Sequence, residues 1–249
     1  MMEYVFWRKI VRFSKGVLIV LVIGIIGFNV YYFFVASGVG PDFYPRRLFE
    51  EPRDHILEDS TYQDLMKEYE YLNRMYRGSK SIVFIGDSIT ARFKVGEYFG
   101  YRPVLNRGIY SDTTVGLINR IERNCNNLKI YKCFIMIGYN DLKYRRDEEI
   151  ARNYEIIVKA LKADRIYVVS VLPVGRKFGE YAKRIPGLNL RLREIAEGNR
   201  STYVNVYDRL VERGGFIKSE FTFDGVHPNG NGYAEIAKAM GNYINEDRK

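Results

Sequence analysis

The sequence predicts a three-layer α/β/α domain built on a five-stranded parallel sheet, preceded by a transmembrane helix. Three observations carry this. Short apolar runs recur along the chain, each closed by Gly, Asn or Asp. Segments between them carry apolar residues at helical spacing. Strands that are apolar throughout are buried on both faces, and their alternation with amphipathic helices gives a parallel sheet covered on both sides. The third observation is an uncharged, mostly apolar stretch over residues 17–36, about the 20 residues that a helix needs to cross a bilayer.

In chain order, residues 1–16 carry Arg8, Lys9, Arg12 and Lys15, and by the positive-inside rule they stay in the cytoplasm. Tyr31 to Phe34 would then lie at the far interface, where aromatic side chains concentrate. The competing reading is a cleaved signal peptide ending near Val35-Ala36-Ser37, but its apolar region would be only about 7–15 residues long. The expectation is therefore a single-pass protein of the cell membrane with its main domain outside the cytoplasm. Residues 37–59, with Gly38, Gly40, Pro41, Pro45 and Pro52, read as a linker. His55 reads as a solvated linker residue. The domain proper is expected over 60–249.

A helix opens at Ser60, where Ser60 and Gln63 match a capping box, and Leu65, Tyr69, Leu72 and Tyr76 continue it. The strands are expected at 81–86, 103–108, 133–138, 165–171 and 202–207. The clearest later helices start near Asp147, with Ile150, Tyr154, Ile157, Val158 and Leu161 on one face, and near Tyr233, with Ile236, Ala237, Met240 and Ile244.

The net charge of +9 suits a surface near anionic lipid or polymer. No nucleic-acid-binding motif is present, and two cysteines and two histidines offer no metal-ligand spacing, so neither metal nor cofactor is expected. Outside the cytoplasm Cys125 and Cys133 could pair, but two buried free thiols are the better reading.

The chemistry sits where strands end. The first is followed by Gly86-Asp87-Ser88, the second ends in Asn106-Arg107-Gly108, and the third runs into Gly138-Tyr139-Asn140-Asp141. Before the last helix comes Asp224-Gly-Val-His227-Pro228. Each alone is a serviceable turn. Together, on one edge of a parallel sheet, they supply what a serine hydrolase needs. A serine hydroxyl requires a base near neutral pH, and His227 is suited to that. Asp224 can fix the imidazole tautomer. The N–H groups of Ser88 and Gly108 and the amide of Asn140 can receive an oxyanion.

These four blocks resemble the SGNH/GDSL hydrolases over about residues 79–245: Gly86-Asp87-Ser88-Ile89, Gly108, Gly138-x-Asn140-Asp141, and Asp224-x-x-His227-Pro228. The resemblance implies a flavodoxin-like fold and metal-free acyl-ester hydrolysis. It implies Ser88 as nucleophile, His227 as base and Asp224 as its partner, with Ser88, Gly108 and Asn140 as the oxyanion hole. The second block, Asn106 to Thr114, is similar to that of acetylesterases and platelet-activating-factor acetylhydrolase-like members. It departs from them in carrying Ser111 where those members carry glycine before Asp-Thr-Thr.

The substrate expected is an acyl ester, first of all an O-acetyl ester on surface carbohydrate. The same triad would serve a lysophospholipase or short-chain esterase, or a polysaccharide O-acetyltransferase. A non-catalytic envelope protein binding acylated polymer is the reading of another class. Basic residues after the third and fourth strands (Lys143, Arg145 and Arg146, then Arg176, Lys177, Lys183 and Arg184) suggest a cationic rim for an anionic glycan or headgroup.

Overall fold

A computed structural model describes residues 54–100 and 103–246. The stretch 17–36 and the basic segment before it lie outside the described residues. Among the described residues no helix is long and apolar enough to cross a membrane.

The described chain starts with a short 3₁₀ turn, His55–Glu58, and α1, Ser60–Arg74. It continues through β1 Lys80–Gly86, α2 Ser88–Arg92, α3 Val95–Phe99, β2 Val104–Gly108 and α4 Thr114–Asn124. Then follow β3 Lys129–Met136, α5 Asp147–Ala160, β4 Ala163–Val169, α6 Gly179–Gly198 and β5 Thr202–Val204. The chain ends with α7 Tyr207–Leu210 and α8 Gly230–Asn245. All five strands are parallel, in the order β2-β1-β3-β4-β5. This is the expected three-layer architecture, and the strand order is the flavodoxin-like one. Its topological switch point lies at the carboxyl ends of β1 and β3, where crossovers leave in opposite directions.

Strand alternation divides the core. Val83 and Ile85 of β1 join Leu117, Ile121, Tyr154, Ile157, Ile185 and Leu188 beneath α4, α5 and α6. Ile82 and Phe84 face the other way, onto Ile89, Val95, Tyr233, Ile236 and Met240 of α2, α3 and α8. Phe84, Phe134 and Tyr167 stack across β1, β3 and β4 with centroids 4.8 and 4.5 Å apart. Cys125 and Cys133 are buried free thiols.

Several local expectations change. The compact unit begins at Asp54, inside the stretch read as linker. Ile56 is buried with Tyr62, Met66 and Ile109, which docks the 3₁₀ turn on the domain. The capping box does not form. Asp59 caps α1 by accepting from the Tyr62 N–H, Ser60 is already helical, and Gln63 donates to the Leu57 carbonyl. The strand β3 begins four residues early, because Lys132 is fully buried and donates across to the Tyr243 carbonyl of α8. The strand β5 is three residues long, since the chain turns into α7 at Tyr207.

Two features of the β1–α2–β2 region predict measurable energetics. Gly108 closes β2 against α2 so tightly that a Cβ there would overlap the backbone nitrogen of Ala91. Backbone cannot rotate away, so Gly108→Ala should cost about 3 kcal/mol in denaturant unfolding. A change below about 0.5 kcal/mol would contradict the packing described. Asp87 caps α2 through the Ile89 N–H at 2.9 Å. Burial pushes its carboxyl up to about 7, with the Ile89 hydrogen bond opposing and the charges of Asp112 and Asp141 adding. The unfolded value is about 3.9, so the folded state holds this proton more tightly, and stability falls as pH rises from about 4 to about 7. Asp87→Asn keeps a good cap and removes the titration. Its Tm relative to the parent chain should therefore climb across that interval, and a constant difference would refute the assignment.

Candidate active site

Ser88 is the first residue of α2, directly after β1. The four-residue start of a helix leaves N–H groups without intrahelical acceptors, and the Ser88 N–H is one of them. Its Oγ lies 2.9 Å from His227 Nε2. His227 Nδ1 lies 2.7 Å from Asp224 Oδ2. Asp224 Oδ1 accepts from the backbone N–H groups of Val226 and His227, each at 2.8 Å. Partial burial pushes the Asp224 carboxyl up, but the hydrogen bonds from the His227 ring and these two N–H groups overcome it and hold the group well below the usual carboxylate range. An ionised Asp224 can only accept. Nδ1 therefore carries the proton, and the Nε2 lone pair faces the serine hydroxyl.

The Asp224–His227 loop is held from both ends. Thr222 Oγ1 donates to the His227 carbonyl at 2.8 Å and accepts from the Gly225 N–H at 2.9 Å. Gly225, with φ +82°, passes close against Gly175 and accepts its N–H at 2.7 Å. Behind the loop, Asn229 caps α8. Tyr233 of α8 then donates to the Ile89 carbonyl at 2.7 Å, tying the helix that follows His227 to the helix that carries Ser88.

The other expected residues converge on the same edge. Asn140 opens a 3₁₀ turn after β3 and donates through Nδ2 to the Asp112 carbonyl at 2.9 Å. One amide hydrogen of Asn140 is thereby fixed, which orients the other. Gly108 is different. Its N–H, expected to be an open donor, is held by Asn106 Oδ1 at 2.9 Å. The same Asn106 amide donates to the Thr90 and Phe93 carbonyls at 2.7 and 3.0 Å, so it clasps the end of α2. Ser111 occupies φ +60°, the left-handed region that favours glycine, which gives a physical reason for the glycine that similar sequences carry there.

Sequence reasoning missed the supports. Arg120 of α4 is fully buried. It donates to Asp112 Oδ2 at 2.8 Å, to the Arg107 carbonyl at 2.8 Å and to the Gly86 carbonyl at 3.2 Å. Burial pushes Asp112 up to about 6, opposed by the charge and hydrogen bond of Arg120. Asp141 accepts from the N–H and hydroxyl of Thr114 at the start of α4 and pairs with Arg145.

Two of the seven cations expected on a rim are used inside the fold. Arg145 is buried and ion-paired with Asp54, Asp141 and Glu149, and Arg184 is held by Asp147 and by two carbonyls. Arg176 and Lys183 stay exposed in surface pairs with Glu212 and Glu180. Among the described residues, no cluster of His, Cys, Asp and Glu has the geometry to hold a metal ion.

Comparison with known proteins gives one consistent result. The alpha2 subunit of platelet-activating factor acetylhydrolase IB from Homo sapiens is 27% identical over 174 residues, covering 64% of this chain and 73% of the relative. A solved structure from Streptococcus pneumonia, assigned provisionally as a platelet activating factor, is 28% identical with a TM-score of 0.67, over 74% of this chain and 92% of that one. A GDSL-like lipase from Bacteroides thetaiotaomicron VPI-5482 is 25% identical with a TM-score of 0.66, over 74% and 97%. The sequence profile of the GDSL-like Lipase/Acylhydrolase family matches residues 84–235, more than half of the chain. With that match and this fold, the chain belongs to the GDSL-like lipase/acylhydrolase family and is a carboxylic ester hydrolase.

Proposed function

We propose that the chain is a membrane-anchored, extracytoplasmic serine esterase that removes O-acetyl groups from surface carbohydrate through an acyl-enzyme. The observation that carries the mechanism is the unbroken relay from Ser88 to His227 to Asp224 at the switch point of the sheet. His227 Nε2 takes the Ser88 proton as Oγ attacks the ester carbonyl, and the Asp224 carboxylate stabilises the imidazolium that forms. The tetrahedral oxyanion is received by the Ser88 N–H and the Asn140 amide. Gly108 is the third donor, its N–H shared between Asn106 Oδ1 and the oxyanion without the backbone turning. The imidazolium then protonates the leaving alcohol. Water, activated by the same imidazole, releases the acid and restores the serine.

The acetyl preference is supported by the relatives' name, an acetylhydrolase. The anchor is supported by the uncharged stretch 17–36 and the basic residues before it. A site outside the cytoplasm and close to the membrane meets surface glycans, which favours a carbohydrate ester.

The test is hydrolysis of 4-nitrophenyl acetate by the full-length chain beside its variants. Ser88→Ala should lower kcat by roughly 10⁴-fold or more while leaving Tm nearly unchanged. Parental activity in Ser88→Ala would exclude the acyl-enzyme. Asn140→Ala should lower kcat by about 10²–10³-fold, and full activity there would remove Asn140 from the oxyanion site.

A further inference from the structure

Beside Asn140 the surface opens into a cleft of about 450 Å³, within the size range of small-ligand sites. Ring-bearing side chains form most of its lining: His55, Tyr139, Tyr144, Phe178 and Tyr181, with Lys143 among them. His55, read from sequence as a solvated linker residue, is set here by its own neighbours. Its ring centroid lies 4.6 Å from that of Tyr144, and Nδ1 lies 3.2 Å from Asp54 Oδ1, a carboxylate buried under the cleft. Tyr139 meets Phe178 and Tyr181 edge-to-face at 6.3 and 6.1 Å. Tyr144 is half exposed, and Lys143 Nζ lies 5.1 Å from its ring centroid. Ser111 and Asn140 complete the lining.

The chemistry of this lining is selective. Tyrosine hydroxyls, the Asn140 amide and the Lys143 ammonium stand among the ring faces. An alkyl chain would leave the tyrosine hydroxyls, the amide and the ammonium without partners, at a cost for each group it covered. A sugar ring has apolar C–H faces for the aromatic walls and hydroxyl edges for the polar groups. Lys143 is the one Lys or Arg among the lining residues, and no Asp or Glu is among them. Asp54, the carboxylate beside His55, is already paired with Arg145, so an anionic substituent in the cleft meets the Lys143 ammonium. Because Asn140 belongs both to this cleft and to the proposed oxyanion site, a ligand in the cleft is placed next to the reacting carbonyl.

We infer that the His55–Tyr144–Tyr181 cleft is the subsite for the alcohol part of the ester, taking an acidic sugar ring with its carboxylate toward Lys143. This rests on the carbohydrate-ester reading above and adds which part of the substrate binds where. His55 precedes the residues that the family profile matches, so the cleft is completed by a segment outside the shared catalytic region.

The experiment uses the full-length chain with three substrates: 4-nitrophenyl acetate, a mono-O-acetylated methyl glucuronoside and a mono-O-acetylated methyl glucoside. The readout is kcat/KM for each sugar ester divided by that for 4-nitrophenyl acetate, with Tm confirming that each variant is folded. Tyr144→Ala should lower the ratio about tenfold for both sugars. Lys143→Gln should lower it about fivefold for the glucuronoside alone, mainly through KM and only at low salt, with recovery in Lys143→Arg. Sugar esters cleaved with unchanged ratios in Tyr144→Ala would overturn the subsite and leave the carbohydrate reading standing. Cleavage of 4-nitrophenyl acetate but of neither sugar ester by the parent chain would overturn both.

Discussion

The buried guanidinium of Arg120 is the constraint on which the active-site edge depends. Parallel strands end with carbonyls that point out of the sheet, and a site built there has to satisfy them without filling the space a substrate needs. Arg120 does so from below. It binds the terminal carbonyls of β1 and β2 at Gly86 and Arg107 and pairs with Asp112. Asp112 in turn receives Asn140 on its carbonyl. One side chain thus links three strand ends, the one that carries Gly108 and the two that lead to Ser88 and Asn140. A fully buried charge survives only when paired and fully hydrogen-bonded, and here that requirement fixes the geometry.

Around this support the site is divided between a rigid and a more exposed part. Ser88 and Asn140 sit on elements locked by the sheet, by the Asp87 cap and by the Asn106 clasp. His227 and Asp224 lie on a loop before α8, and the Asp224 side chain is 47% exposed. The loop holds its shape through Thr222, through the Gly175–Gly225 contact, and through the Tyr233 bond back to α2. The acid and base therefore ride on the same helix–helix contact as the serine, so the relay distances follow from core packing rather than from the loop alone.

Much of this was legible in the sequence, and the reason is local. Gly86-Asp87-Ser88, Gly108, Asn140 and the Asp224–His227 pair each sit at an element end, where a short string of residues reveals both the turn and the chemistry. Strand positions followed from the apolar runs, and the flavodoxin-like arrangement from the family resemblance. What escaped was non-local. Arg120 reads as one more polar residue on an amphipathic helix, because its partners are strand-end carbonyls and Asp112 in the preceding loop. Arg145 reads as part of a basic run until Asp54, 91 residues earlier, is found beside it. His55 is exposed, as its setting of proline and mixed charge suggests, but it is no linker residue, because Ile56 next to it is an anchor that only the folded core reveals. Gly108 was read for its N–H, and the structure shows a steric role as well, in the close approach of Ala91.

The central claim is that Ser88 is the nucleophile and that His227 activates it. The most direct measurement is active-site titration of the full-length chain with a fluorophosphonate, followed by peptide mass spectrometry to locate the adduct. The account predicts one phosphonyl group per chain, attached to Ser88, with the rate of labelling greatly reduced in His227→Ala. An adduct on another residue, or labelling of Ser88 at the parental rate without His227, would contradict it.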